Sequence, residues 1–261
     1  MVTVGVFDSG VGGGGLSVLR ALRAELPQVH FVYLADNAYA PYGEQAADAV
    51  IARAHQFTKQ LRTEHKVQAL VVDDLRKTHP DLPFIGVKPA LKPAATSSHS
   101  GHMGVLATRG TVQSARFAYL LGAVRAAADR PQHIHCQPCD GLADAIERAD
   151  VQAVLERATH HLEQLRRQDA DRPTIETLVL GCTHCPFARE TLQSLCGPEV
   201  VLVDTAKPVA RRTRTVLRLP AFQNALGPGK LTLLSTGDQG ALQVAAARWL
   251  GSAPGGRAGA F

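Results

Sequence analysis

Short apolar runs of four to six residues alternate with longer helical patterns along almost the whole chain. That alternation is the strongest constraint on its fold. Strands are predicted at residues 2–7, 30–34, 69–72, 84–87, 104–107, 178–180, 200–203 and 230–234, and helices at 16–25, 44–64, 112–128, 140–147 and 151–168. Strand–helix alternation implies parallel sheets joined by right-handed crossovers, with ligand sites at the carboxyl ends of the strands. One crossover is short. Only residues 73–83 join the strands at 69–72 and 84–87, and Pro80 and Pro83 confine any helix there to about 73–79. Parallel neighbours need about a dozen or more linking residues.

The stretch Gly181-Cys182-Thr183-His184-Cys185-Pro186 follows the apolar run Leu178-Val179-Leu180 and precedes a helical pattern at 187–195. A cysteine at a strand's carboxyl end, beside a histidine and a helix start, sits where a thiolate forms most readily.

Other constellations are weaker. Asp8-Ser9-Gly10 opens into Val11-Gly12-Gly13-Gly14-Gly15, a loop whose amides can cradle an anion. Gly10, Gly12 and Gly15 also fit the dinucleotide fingerprint, with Asp36 ending the second strand as a ribose acceptor. Pro41-Tyr42-Gly43 is a rigid turn able to present a phenol. His133, His135, Cys136 and Cys139, with Cys182 and Cys185, carry zinc-ligand chemistry. Long helices separate the two Cys-x-x-Cys pairs, unlike a compact ribbon, so no metal site is expected. His99 and His102 read as loop residues.

A net charge of +5, with no basic block interleaved with aromatics, argues against a nucleic-acid partner. Arg211-Arg212-Thr213-Arg214 reads as a solvated helix face. There is no apolar run of transmembrane length and no basic leader. Five cysteines, an odd number, suit free thiols in a reducing cytoplasm. The glycine- and alanine-rich tail 251–261 is expected to be disordered.

Taken together, Asp8-Ser9-Gly10, Pro41-Tyr42-Gly43, Gly104-Val105-Leu106-Ala107-Thr108, Gly181-Cys182-Thr183-His184-Cys185-Pro186, Val203-Asp204 and Thr236-Gly237-Asp238 resemble glutamate racemase, in the family's motif order. The resemblance runs from about Val4 to Leu250. It implies an α/β fold of two similar domains with mainly parallel sheets and the active site at the domain interface. The boundaries expected are 1–95 with 207–250 for the first domain and 96–206 for the second. It also implies cofactor-independent interconversion of L- and D-glutamate for peptidoglycan synthesis, by two cysteines on opposite faces of the α-carbon. Inversion demands an acid and a base on opposite sides. By the resemblance, Cys182 is the second of these cysteines, His184 its helper, and Asp8 the carboxylate assisting the first. Asp8, Ser9, Tyr42, Gly43, Thr183 and His184 match glutamate-binding positions. The implied partner is glutamate; a homodimer is allowed, and neither a membrane nor a cofactor is implied.

The chain departs from the family pattern in three places, all in the first domain. Val71-Val72 runs directly into Asp73-Asp74, where the family carries its first catalytic cysteine and a helical stretch. Lys88 stands where the family has glutamate, and two extra glycines precede Leu16. Cys139 matches a family position outside the catalytic pair. Asp73, near the vacated position, is a carboxylate of pKa about 4 and a much weaker base than a thiolate. The expectation is therefore a racemase with impaired catalysis. Two other readings stay open: glutamate or protein binding without turnover, and dinucleotide binding through the glycine loop.

Overall fold

The computed structural model describes residues 2–8, 14–39, 47–72, 81–168, 175–218, 228–251 and 257–258. The glycine loop 9–13, the Pro41-Tyr42-Gly43 turn and crossover residues 73–80 lie outside that set. The chain divides into two compact units, Met1–Val87 with Ala206–Phe261, and Lys88–Thr205.

In the first unit, β1 (Thr3–Asp8) and β2 (His30–Ala35) pair in parallel from Thr3 opposite His30 to Asp8 opposite Ala35. Phe31 to Ala35 are all buried, the continuous apolar run of a strand covered on both faces. Between them, α1 (Leu16–Glu25) turns Leu16, Val18, Leu19 and Leu22 inward at helical spacing. After β2, α2 (Ala47–His65) lays Ala54, Phe57 and Leu61 on the sheet, against Val32, Leu34 and Leu70. The next strands are short: β3 (Ala69–Val71) has three residues and β4 (Phe84–Ile85) two, paired Leu70 to Phe84 and Val71 to Ile85.

The second unit begins with α3 (Leu91–Ser97), a helix the apolar pattern does not reveal, with Pro93 in its first turn. Leu91 and Ala94 pack on Met103 and Val105, within the compact unit Lys88–Thr205. Its central strand, β5 (His102–Ala107), is buried along its whole length. The single helix expected at 112–128 is two, α4 (Arg109–Gln113) and α5 (Ala115–Ala126). Ser114 breaks it: its backbone is extended and its hydroxyl accepts the Phe117 N–H at 3.1 Å, so capping a new helix replaces continuing the old one. Then follow β6 (His133–Pro138), α6 (Leu142–Glu147) and α7 (Val151–Arg167). A side chain at Gly104 would meet Leu165 Cδ2 at 2.5 Å, so glycine there lets α7 lie close on β5. After β7 (Thr177–Leu180), the helix expected at 187–195 begins instead as a 3₁₀ turn, Cys185–Ala188, and continues as α8 (Arg189–Cys196). With β8 (Val201–Asp204), the sheet order is β6-β5-β7-β8, all parallel.

The chain returns to the first unit through α9 (Ala206–Val216), which packs on α1. β9 (Leu231–Ser235) and α10 (Gln239–Leu250) follow, the helix capped by Asp238 on the Ala241 N–H at 3.0 Å. In the tail, β10 (Arg257–Ala258) pairs with β9. The first sheet thus reads β10-β9-β2-β1-β3-β4, also parallel throughout. Among the described residues, no helix is long and apolar enough to cross a membrane.

Candidate active site

The amides that follow β6 and β7 both bond to the end of β5. Cys139 N–H donates to Ala107 O at 2.9 Å, and Gly181 N–H donates to Leu106 O at 2.7 Å. These bonds draw two chain segments together over one strand end. Gly181 is needed for that approach, since a Cβ there would meet Ala107 Cβ and Leu106 O at 3.1 Å. Cys182 follows directly. Cys185 N–H bonds back to Cys182 O at 3.2 Å, closing a tight turn that places both sulfurs on one side.

His184 Nδ1 lies 3.8 Å from Cys182 Sγ, and its Nε2 lies 2.6 Å from Glu147 Oε1. As an imidazolium it donates through both nitrogens. Burial alone would lower the His184 pKa, but the hydrogen bonds to Cys182 and Glu147, and their negative charge, raise it to about 10. Cys182 is held well below the usual thiol range, first by hydrogen bonds from Cys139 and Cys185, then, against burial, by the hydrogen bond and charge of His184. The complementary effect pushes Cys139 and Cys185 up. The single Cys139 proton has a second acceptor within reach, Ala107 O at 3.2 Å. The thiolate therefore resides on Cys182.

The cause differs from the sequence expectation in one respect. The sequence predicts help from a helix dipole; only a four-residue 3₁₀ turn follows directly, so side-chain donors hold the thiolate. Glu147 is invisible in the sequence because it lies 37 residues from His184 and carries no motif. It ends α6, where a carboxylate opposes the helix dipole; the His184 cation compensates. Thr183 sits part-buried in the same turn as Cys182 and His184.

The metal-ligand groupings resolve differently from their sequence spacing. Cys139 joins Cys182 and Cys185, with the three sulfurs within 4.8 Å of one another. Cys136 instead packs in the apolar cluster with Ile134 and Phe117, where burial raises its pKa to about 11. His133 stacks on His102, with ring centroids 4.5 Å apart. His102 is thus a buried residue of β5, not a loop residue.

Asp8 lies in the first unit, at the carboxyl end of β1. Its Oδ2 accepts the Gly15 N–H at 2.8 Å and the Tyr33 hydroxyl. A Cβ at Gly15 would meet that carboxylate at 2.9 Å, so the loop must enter α1 through glycine. Asp36, the ribose acceptor of the dinucleotide reading, is fully buried. It pairs with Arg53 and accepts the Thr236 hydroxyl at 2.5 Å. Those partners fill it, which counts against that reading. Ser9, Tyr42 and Gly43 lie outside the described residues. Lys88 is exposed at the start of the second unit. Its neighbour Pro89 lies beside Gly181, where a Cβ would come within 3.5 Å of it.

The fold is thus an α/β protein that holds an acidic thiol, backed by an imidazolium and a carboxylate, at the carboxyl end of a parallel sheet. The chain belongs to the Asp/Glu/Hydantoin racemase family, whose model matches residues 16–213. It is 43% identical over 241 residues to a glutamate racemase from Stutzerimonas stutzeri, covering 88% of this chain and 86% of that one. In structure it is similar to a glutamate racemase isoform from Bacillus anthracis, with a TM-score of 0.82 and 27% identity over 99% of this chain and 97% of the other. It is likewise similar to the Escherichia coli glutamate racemase solved with L-glutamate and the activator UDP-MurNAc-Ala, with a TM-score of 0.75 and 29% identity over 95% of each chain.

Proposed function

We propose that the chain binds glutamate and works on its α-C–H bond with one thiol in place of two, so that racemisation, the route to D-glutamate for peptidoglycan, is impaired. The observation that carries this reading is the placement of cysteine. All five cysteines lie within Lys88–Thr205, and the first unit contains none. Cys182, with His184 and Glu147 behind it, supplies a base for one face of the α-carbon. The Cys182 thiolate takes the α-proton of L-glutamate, and the His184 imidazolium steadies the charge that moves away from sulfur. No thiol from the first unit returns a proton to the opposite face, so reprotonation comes back from Cys182 with retention. Asp8, Ser9, Tyr42, Gly43, Thr183 and His184 are the substrate-binding set in this reading.

The test is proton NMR of L-glutamate in D₂O with circular dichroism followed in parallel. The expected result is loss of the α-proton signal faster than loss of optical activity, and neither with Cys182→Ala. Racemisation at ordinary enzyme rates, on the order of 1–10³ s⁻¹, would overturn the one-thiol reading. Saturable glutamate binding with no exchange would leave a binding protein instead.

A further inference from the structure

Three sulfurs meet at the carboxyl edge of the second sheet, and proton transfer uses only one of them. Cys139 arrives from the end of β6, and Cys182 and Cys185 from the turn after β7, with all three Sγ atoms within 4.8 Å of one another. Cys185 is fully buried, and Cys139 and Cys182 are 4% exposed. A tetrahedral zinc bound at about 2.3 Å to each sulfur needs S···S edges of about 3.8 Å, so a contraction of at most about 1 Å closes this triangle. The donors are all soft, which selects zinc-like ions over magnesium or calcium.

The surroundings also suit a cation. Cys182 and Cys185 lie on one hydrogen-bonded turn with two residues between them, the spacing of a zinc-binding loop. Cys139 is fixed from behind by its backbone bond to Ala107. His184, anchored through Nε2 to Glu147, stands 3.8 Å from one vertex and supplies positive charge beside a site that becomes anionic when three thiolates bind one divalent ion.

We propose that Cys139, Cys182 and Cys185 form a binding site for a thiophilic divalent cation of the zinc type, with water completing the fourth position. Binding joins the metal to the Cys182 thiolate and displaces one proton each from Cys139 and Cys185. No electron moves. A cation held there occupies the Cys182 lone pair, so the loaded protein cannot take up a substrate proton. That consequence rests on the reading of Cys182 as the base; the binding itself does not.

Cobalt(II) and zinc(II) titrations of the full chain under anaerobic conditions test the site without reference to turnover. One equivalent of cobalt should give thiolate-to-metal charge transfer and the visible bands of a tetrahedral ion. Zinc should displace it with no further proton release, whereas zinc added to the metal-free chain should release two protons. Cys139→Ser and Cys185→Ser should each weaken zinc by about 10²-fold or more, while Cys136→Ser should leave affinity unchanged. Circular dichroism checks the fold of each variant. Alkylation mapping of the unmodified chain, with and without zinc, needs no variant and should show protection at Cys182, with labelling of Cys136 and Cys196 unchanged. Absence of the charge-transfer band, unchanged affinity in both serine variants, or protection centred on Cys136 or Cys196 would overturn the proposal. If the metal binds but glutamate exchange is absent in the metal-free chain, the site stands and the functional reading falls.

Discussion

The two units share one architecture and differ in how fully it is executed. In the second, β5 is flanked by strands of four and six residues, and Thr108, Ser114 and Asp150 cap three helices with side-chain oxygens. That unit holds every cysteine of the chain. In the first, β3 and β4 have three and two residues and pair at only two positions. At the end of its β1 stands a carboxylate, Asp8, held by a glycine amide and a tyrosine hydroxyl. The contrast teaches that, among the described residues, one parallel sheet gathers three sulfurs, an imidazole and a carboxylate near one strand end, while the other presents a carboxylate held by an amide and a phenol. The Cys182–His184–Glu147 relay hangs on local turns at the end of β5.

The largest effect that can break this contrast is at Cys182. Cys182→Ala should reduce α-hydrogen exchange of glutamate by on the order of 10³-fold, within the range of a lost general base. A smaller loss would mean that the first unit supplies a base after all.

The relay itself is sharpened by pH. A raised His184 pKa means its contribution to stability is complete below its ordinary value of 6.5 and is lost as pH rises through about 10. The depressed Cys182 pKa works the other way: its contribution is present above the ordinary thiol value and is lost as pH falls through its folded value. Both shifts favour the Cys182–His184 ion pair. Alkylation of Cys182 should therefore be the fastest of the five and nearly flat from about pH 7 to 9, while Cys136 and Cys196, both raised by burial, should accelerate steeply. Glu147→Gln removes the anion behind His184, so it should lower the His184 pKa and slow exchange by about tenfold. A flat profile that survives Glu147→Gln would show that the two neighbouring thiols hold the thiolate without help from the carboxylate.

Differences in local stability should be smaller. Hydrogen exchange is expected to be about tenfold faster at residues 69–71 and 84–85 than at 102–107 and 177–180. Equal protection would show the short crossover to be harmless. Of the same order, Gly15→Ala should cost about 1 kcal/mol of stability by crowding the Asp8 carboxylate, read as a lowered unfolding midpoint with the second unit's thiol reactivity unchanged.

Much of the fold is legible because periodicity is local. The strands beginning near Thr3, His30 and Thr177 announce themselves by continuous apolar runs, and Cys182 with His184 by adjacency. The split at Ser114 is not legible, since one hydroxyl decides between extending a helix and capping the next. Leu91–Ser97 has too few residues to show a period. Glu147 and Cys139 belong to the site only through space, carried there by α6 and β6. Conversely, Asp36 resembles a ligand contact in sequence because the partners that fill it, Arg53 and Thr236, are distant along the chain.

The two amide bonds that hang Cys139 and Gly181 from the last carbonyls of β5 have a consequence for how mutations should be classified. They are ordinary rungs of a sheet and also the tether of the thiol cluster. Loosening that strand end separates the sulfurs and returns Cys182 to the acidity of a free cysteine in a single event. A substitution at Ala107, whose buried side chain lies against Gly181, should register in assays as damage to the thiol cluster. The alkylation rate of Cys182 then becomes a gauge of whether the end of β5 is zipped.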